Sequence, residues 1–126
     1  MTKLILIAGI GSFVGGALRF IVSTLVGKIG NGFPLGTFIV NMLGCLIIGT
    51  LYGIISKHNL SAEMRTLLTV GFCGGFTTFS TFAYENLTML KDGNLITFIA
   101  YSGLSLIVGI VAAWLGYQLY TAYTAH

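Results

Sequence analysis

Three stretches of this 126-residue chain, residues 29–56, 66–84 and 93–125, contain no Asp, Glu, Lys or Arg. A hydrocarbon core of about 30 Å takes roughly 20 apolar residues in a helix, so each stretch is long enough to cross a bilayer. A fourth stretch, residues 4–26, is interrupted only by Arg19 and reads as a span carrying one anomalous charge. Hydrophobicity continues past residue 18 with no clear small-x-small site, which favours a first span over a cleaved leader. The expected fold is therefore an all-α membrane protein with four transmembrane helices, at about 4–26, 34–56, 65–90 and 95–123. Only 7% of the residues are charged, against roughly 25% in soluble domains. Four spans and short links fill residues 1–126 as a single domain and leave no room for a soluble one.

The links, residues 27–33, 57–64 and 91–94, are rich in Gly, Asn or charge, as connections are, and their shortness makes neighbouring helices antiparallel. Pro34 suits a helix start, where its missing N–H loses nothing, and Ser61 followed by Glu63 suits another. Among eighteen glycines are the pairs Gly11 and Gly15, Gly49 and Gly53, and Gly71 and Gly75. Small-xxx-small spacing of this kind lets helix backbones approach closely in lipid and predicts a compact bundle or oligomer. Cys45 and Cys73 fall inside spans and read as small packing residues.

Six Lys and Arg residues bear on orientation. An even number of spans puts Lys3, Lys57 and Arg65 on one side and Lys28, Lys91 and Arg19 on the other. The positive-inside rule works through a bias between short loops, and three against three is no bias. Insertion in both orientations, and pairing of oppositely inserted copies, is one reading; a single orientation set by other features is the alternative. The net charge of +3 is too small and too scattered for nucleic-acid recognition.

No nucleophile–base arrangement or His cluster lies within the spans, and His58 and His126 lie outside them, so an enzyme is not expected. The third span carries Gly71-Phe72-Cys73-Gly74-Gly75-Phe76-Thr77-Thr78-Phe79-Ser80-Thr81-Phe82. A glycine pair is a common place for a helix to break, and a broken membrane helix is tolerated where it is buried in protein or lines a cavity. A continuous helix with Ser and Thr bonded to the preceding turn is the other reading. Phe79 and Phe82 share a face with about 4.5 Å of rise between them. Their electron-poor edges can face an anion, or they can pack as core. Asn41, with Thr37 one turn before it, is either an anion donor or an interhelical clamp. Tyr101 and Ser105, with Ser102 beside them, give the fourth span a similar polar face. Arg19 either snorkels or lends positive potential to a pore mouth. Glu85 either caps the polar path or pairs with a cation.

These residues resemble the Fluc (CrcB) fluoride channels. The resemblance rests on Gly15-Gly16-Ala17-Leu18-Arg19-Phe20, on Gly36-Thr37-Phe38-Ile39-Val40-Asn41-Met42-Leu43-Gly44 and on the stretch from Gly71 to Phe82, and it covers all four spans. It implies a fluoride-selective channel giving passive export across the cell (inner) membrane, built as an antiparallel dual-topology homodimer with two pores. It further implies that Asn41 lies along the fluoride path, that Phe79 and Phe82 form an aromatic box, and that Ser80, Thr81, Tyr101 and Ser105 form a polar track. By the same resemblance the backbone carbonyls of Gly74 and Thr77 hold a structural Na⁺ at the dimer axis, and Arg19 is the vestibule arginine. Ala83 stands where many such channels have a serine, which puts one hydroxyl in doubt.

The main rival is a proton-coupled exporter of the small multidrug transporter type, also short and four-spanned. Such proteins need a carboxylate in the first span, and here that span holds only Arg19. A packing subunit of a larger membrane complex is the third reading, if the polar residues are all clamps.

Overall fold

The computed structural model describes residues 1–27 and 32–124. Part of the first link, with Lys28 of the charge count, and His126 lie outside the described residues. Three spans are single helices: α1 (Thr2–Val26), α2 (Leu35–Lys57) and, last in the chain, α6 (Leu95–Thr124). Between α2 and α6 the third span, Ala62–Lys91, is assembled from α3 (Ala62–Arg65), a π-helical stretch (Thr66–Cys73), α4 (Gly74–Phe76) and α5 (Phe79–Lys91). All four spans are long and apolar enough to cross a membrane. Large apolar side chains such as Phe13, Ile96 and Trp114 are exposed along them, a surface that lipid tolerates and water does not.

Local signals set the ends. Ser61 precedes α3 and accepts the Met64 N–H at 3.1 Å, satisfying one of the orphan donors of the first turn. Pro34 stands immediately before α2. Lys3 pairs with Glu63 at 3.7 Å, and the His58 ring meets the Tyr120 hydroxyl at 2.8 Å. The first contact joins the chain's beginning to the start of the third span, and the second joins the second link to the end of α6. Both fit an even number of spans with Lys3, Lys57 and Arg65 on one side.

The helices pack in pairs, α2 on α6 and α1 on the first half of the third span, with α5 turned toward α6. Glycine makes the closest approaches. A Cβ at Gly49 would overlap the Ala113 carbonyl of α6, and a Cβ at Gly11 would lie 2.8 Å from the Gly71 Cα. Lipid supplies no hydrophobic drive between helices, so this backbone-level fit has to provide the cohesion.

The third span is broken near its middle, though not at its glycine pair. Gly74 is helical (φ −62°, ψ −36°) and Gly75 lies within α4. The chain leaves helical geometry at Thr77 (ψ 159°) and Thr78 (φ −147°, ψ 121°). Gly75 has another use: a Cβ there would stand 2.8 Å from the Ser12 Cα and 3.1 Å from the Gly16 amide nitrogen. Gly75 admits α1, and the threonines beyond it make the break.

Candidate functional site

Thr77 closes the first half of the span by giving both its N–H (3.0 Å) and its hydroxyl (2.9 Å) to the Cys73 carbonyl. Thr78 opens the second half. Its Oγ1 accepts the Thr81 N–H at 3.2 Å and donates to the Thr81 hydroxyl at 3.1 Å, an N-cap for α5. The extended peptide between them is held by Asn41 of α2. Thr78 donates its N–H to Asn41 Oδ1 at 2.8 Å, and the Thr78 carbonyl accepts from Asn41 Nδ2 at 3.1 Å. An amide side chain carries the same donor and acceptor pair as a peptide unit, so it can replace helix bonds that the break removes.

This arrangement leaves particular carbonyls short of their helical partners. In a continuous helix the Gly74 carbonyl would accept from Thr78 N–H and the Thr77 carbonyl from Thr81 N–H. Those two amides are diverted to Asn41 and to the Thr78 hydroxyl. The Gly75 carbonyl instead accepts from Arg19 Nε at 3.0 Å. Arg19, half-buried, thus brings its charge to the C-terminal end of α4, the end that favours a cation.

A groove of about 690 Å³ runs along the break, and Asn41, Thr77, Thr78, Phe79, Phe82 and Ser105 contribute to its walls. Its described lining includes no Asp, Glu, Lys or Arg. The rings of Phe79 and Phe82 lie with centroids 5.8 Å apart, and Phe82 sits 5.0 Å from the ring of Tyr101. Phe79 is 79% exposed, a value that fits a wall and not a core position. Ser105 Oγ is buried with no hydrogen-bond partner among the described residues. A buried hydroxyl in that state costs about 1–3 kcal/mol and calls for an explanation.

A second polar cluster lies further along α5. Glu85 Oε2 accepts from the Thr37 hydroxyl and Oε1 from the Tyr101 hydroxyl, both at 2.9 Å. Beside it is a cavity of about 240 Å³ whose lining includes Phe20, Ser23, Thr37, Thr81 and Glu85. The residues singled out in the sequence therefore divide between two places. Asn41, Phe79, Phe82 and Ser105 meet at the groove, while Thr37 and Tyr101 turn to Glu85. Thr81 lines the smaller cavity and Ser80 is exposed on the first turn of α5. Among the described residues Glu85 takes two hydroxyls as partners and not a cation.

Asn86 was not singled out by sequence. It is 7% exposed, gives its Nδ2 to the Phe82 carbonyl at 2.9 Å and accepts the Ser102 hydroxyl at 2.9 Å. An amide inside a membrane span is signal enough to mark it. Its partner could be named only once α5 and α6 were in register.

The chain matches over residues 6–117 the family model described as CrcB-like protein, Camphor Resistance (CrcB). A protein of Azobacteroides pseudotrichonymphae genomovar. CFP2 named fluoride-specific ion channel FluC is 45% identical over 121 residues, covering 94% of this chain and 97% of its own length. A protein of the same name from Chlorobium phaeobacteroides (strain BS1) is 43% identical over 116 residues, 91% of each chain. Another, from Campylobacter jejuni subsp. jejuni serotype O:6, is 40% identical over 124 residues, 95% of this chain and 99% of its own. Since the family model spans most of all four membrane helices and such relatives align nearly end to end, this chain belongs to the CrcB-like protein family.

Proposed function

We propose that this protein is a fluoride-selective channel through which fluoride leaves the cell passively. The observation that carries the reading is the uncharged groove at the helix break, where Ser105 Oγ stands buried and unpartnered near the ring pair Phe79 and Phe82. Several relatives across the whole length carry the name fluoride-specific ion channel. Fluoride is small and tightly hydrated, so a path for it must replace water with hydrogen-bond donors and with the positive edges of aromatic rings. A full positive charge in the groove would trap the ion. Neutral donors let it bind and leave, the balance that conduction needs.

On this reading Phe79 and Phe82 rim the path and the Ser105 hydroxyl donates to the passing ion. Asn41 fixes the break with one N–H of its amide and has a second for the anion. Ser80 and Thr81 continue the polar track, with Thr37 and Tyr101 around Glu85. Arg19 gives the approach a positive potential that concentrates anions. In an acidic medium HF forms outside the cell, enters and dissociates; the channel returns the trapped anion down its electrochemical gradient.

The working unit is an antiparallel homodimer. The even division of Lys and Arg between the two sides supports insertion in both orientations. The open groove, with Gly74 and Phe79 exposed along it, offers a second copy a surface. The carbonyls of Gly74 and Thr77, their helical amides diverted, suit a hard cation that takes oxygen ligands. They would hold a Na⁺ between the copies, and its charge would join the two broken helices structurally.

Purified protein in liposomes, with a fluoride electrode outside and an electrical shunt, tests the reading. Fast fluoride release with little chloride release is expected. Phe79→Ile or Phe82→Ile should slow release by about tenfold or more, comparable with losing an aromatic contact of about 1.4 kcal/mol, with the dimer still present on size exclusion. Electrically silent, proton-dependent release would instead make it an exporter.

A further inference from the structure

We infer that Asn86 and Ser102 form a positioning pair that sets α5 against α6 and so holds the ring of Phe82 and the free hydroxyl of Ser105 in register. The inference rests on the channel reading and deepens it. Neither residue is assigned a part in the anion path above.

The geometry carries it in three steps. α6 presents three hydroxyls within five residues, and each has a different fate: Tyr101 donates to Glu85, Ser102 to Asn86, and Ser105 to none of the described residues. Consecutive residues of α5, Glu85 and Asn86, thus grip consecutive residues of α6, Tyr101 and Ser102. A grip of two adjacent pairs fixes rotation about the helix axis as well as separation, which one hydrogen bond would not do. Next, Asn86 is nearly buried and its amide is used at both ends, with Nδ2 on the carbonyl of Phe82 itself. The residue that carries the ring is therefore tied through one side chain to the helix that carries the orphan hydroxyl. Finally, Ser102 and Ser105 both line the groove, as does Phe82. Binding Ser102 to Asn86 removes its proton from the groove and leaves Ser105 as the donor on that wall. The pair acts on the ion through Phe82 and Ser105, so Asn86 is a positioning residue.

The test measures fluoride release from liposomes by wild type, Asn86→Leu, Ser102→Ala, the double variant, and the exchange Asn86→Ser with Ser102→Asn. Each is also checked for its thermal midpoint in detergent. Interhelical side-chain bonds in membranes average about 0.6 kcal/mol, so each single variant is expected to slow fluoride release by about threefold or more. The double variant should be no slower than the slower single one, and the exchange should recover much of the lost rate by rebuilding the pair from the other side. Release at the wild-type rate by both single variants overturns the inference, as do losses that multiply in the double variant. Rates that merely follow the thermal midpoints across the set overturn it too, since they would make the pair structural only. If Asn86→Leu does not fold, Ser102→Ala, which removes one oxygen, decides alone. Absence of fluoride release by folded wild type removes the channel reading, and the inference with it; wild-type release with indifferent variants removes the inference only.

Discussion

Before Thr77 the third span lies against α1 with backbones in contact: a Cβ at Gly71 would stand 3.0 Å from the Gly11 Cα, and one at Gly75 2.8 Å from the Ser12 Cα. After Thr78 the same span meets α6 through side chains, with the Tyr101 and Ser102 hydroxyls donating to Glu85 and Asn86. The first half has no freedom to shift, because packed backbones have no rotamers. The second half is positioned by hydrogen bonds whose loss lets it turn without a clash. The aromatic residues Phe79 and Phe82 are both on that second half. A rigid anchor therefore supports a segment whose orientation is set by a small number of polar contacts.

The largest expected effect comes from breaking the anchor. A Cβ at Gly15 would overlap the Phe72 carbonyl and lie 2.8 Å from the Phe76 amide nitrogen. Gly15→Val adds three carbons there, and overpacking costs about 1–3 kcal/mol and at times more. Loss of monodisperse protein on size exclusion, or a large fall in thermal midpoint, is expected. An unchanged midpoint would mean that α1 yields and that the contrast between the halves is not one of rigidity.

The next effect is at the junction. Asn41→Asp keeps size and shape but replaces the NH₂ that meets the Thr78 carbonyl with a second oxygen and, when ionised, puts a negative charge beside that carbonyl and the anion path. An unmet buried acceptor costs about 1–3 kcal/mol, and the substitution also removes the second N–H that faces the anion. Fluoride release should fall by about tenfold, and hydrogen exchange at Thr78 should accelerate. The thermal midpoint should fall less than for Gly15→Val. Equal damage to both halves would argue that the break is part of the anchor.

Much of this contrast could be read in the sequence, and the limits are instructive. The four spans were legible because each apolar run answers to the surrounding lipid, which is the same wherever the neighbours lie. The glycine spacing around Gly11, Gly15, Gly71 and Gly75 announced close packing for a similar reason. The position of the break was not legible. Gly74-Gly75 looks like the weak point of an isolated helix, yet what decides the role of Gly75 is α1, through Ser12 and Gly16, some 60 residues earlier in the chain. Thr78 is extended because Asn41, on another helix, accepts its N–H. Likewise Thr37 and Tyr101 looked like companions of Asn41 and Ser105 by helical spacing. Glu85, whose reach depends on where α5 begins after the break, draws them away.

The smallest effects separate the halves most cleanly, because they compare two hydroxyls of similar chemistry. Thr78 Oγ1 accepts the Thr81 N–H at the first turn of α5, and removing an N-cap costs about 1 kcal/mol. Ser12 donates to the Gly71 carbonyl at 3.3 Å, at a contact that glycine backbones already hold. Thr78→Val should therefore lower the thermal midpoint measurably and slow fluoride release, since it loosens the start of the ring-bearing helix. Ser12→Ala should change stability by less than about 0.5 kcal/mol and leave release unaltered, because the anchor does not depend on that hydrogen bond. Were the two substitutions to have equal effects in paired thermal melts, polar contacts would matter alike on both sides of Thr77, and the division between a packed half and a hydrogen-bonded half would have to be given up.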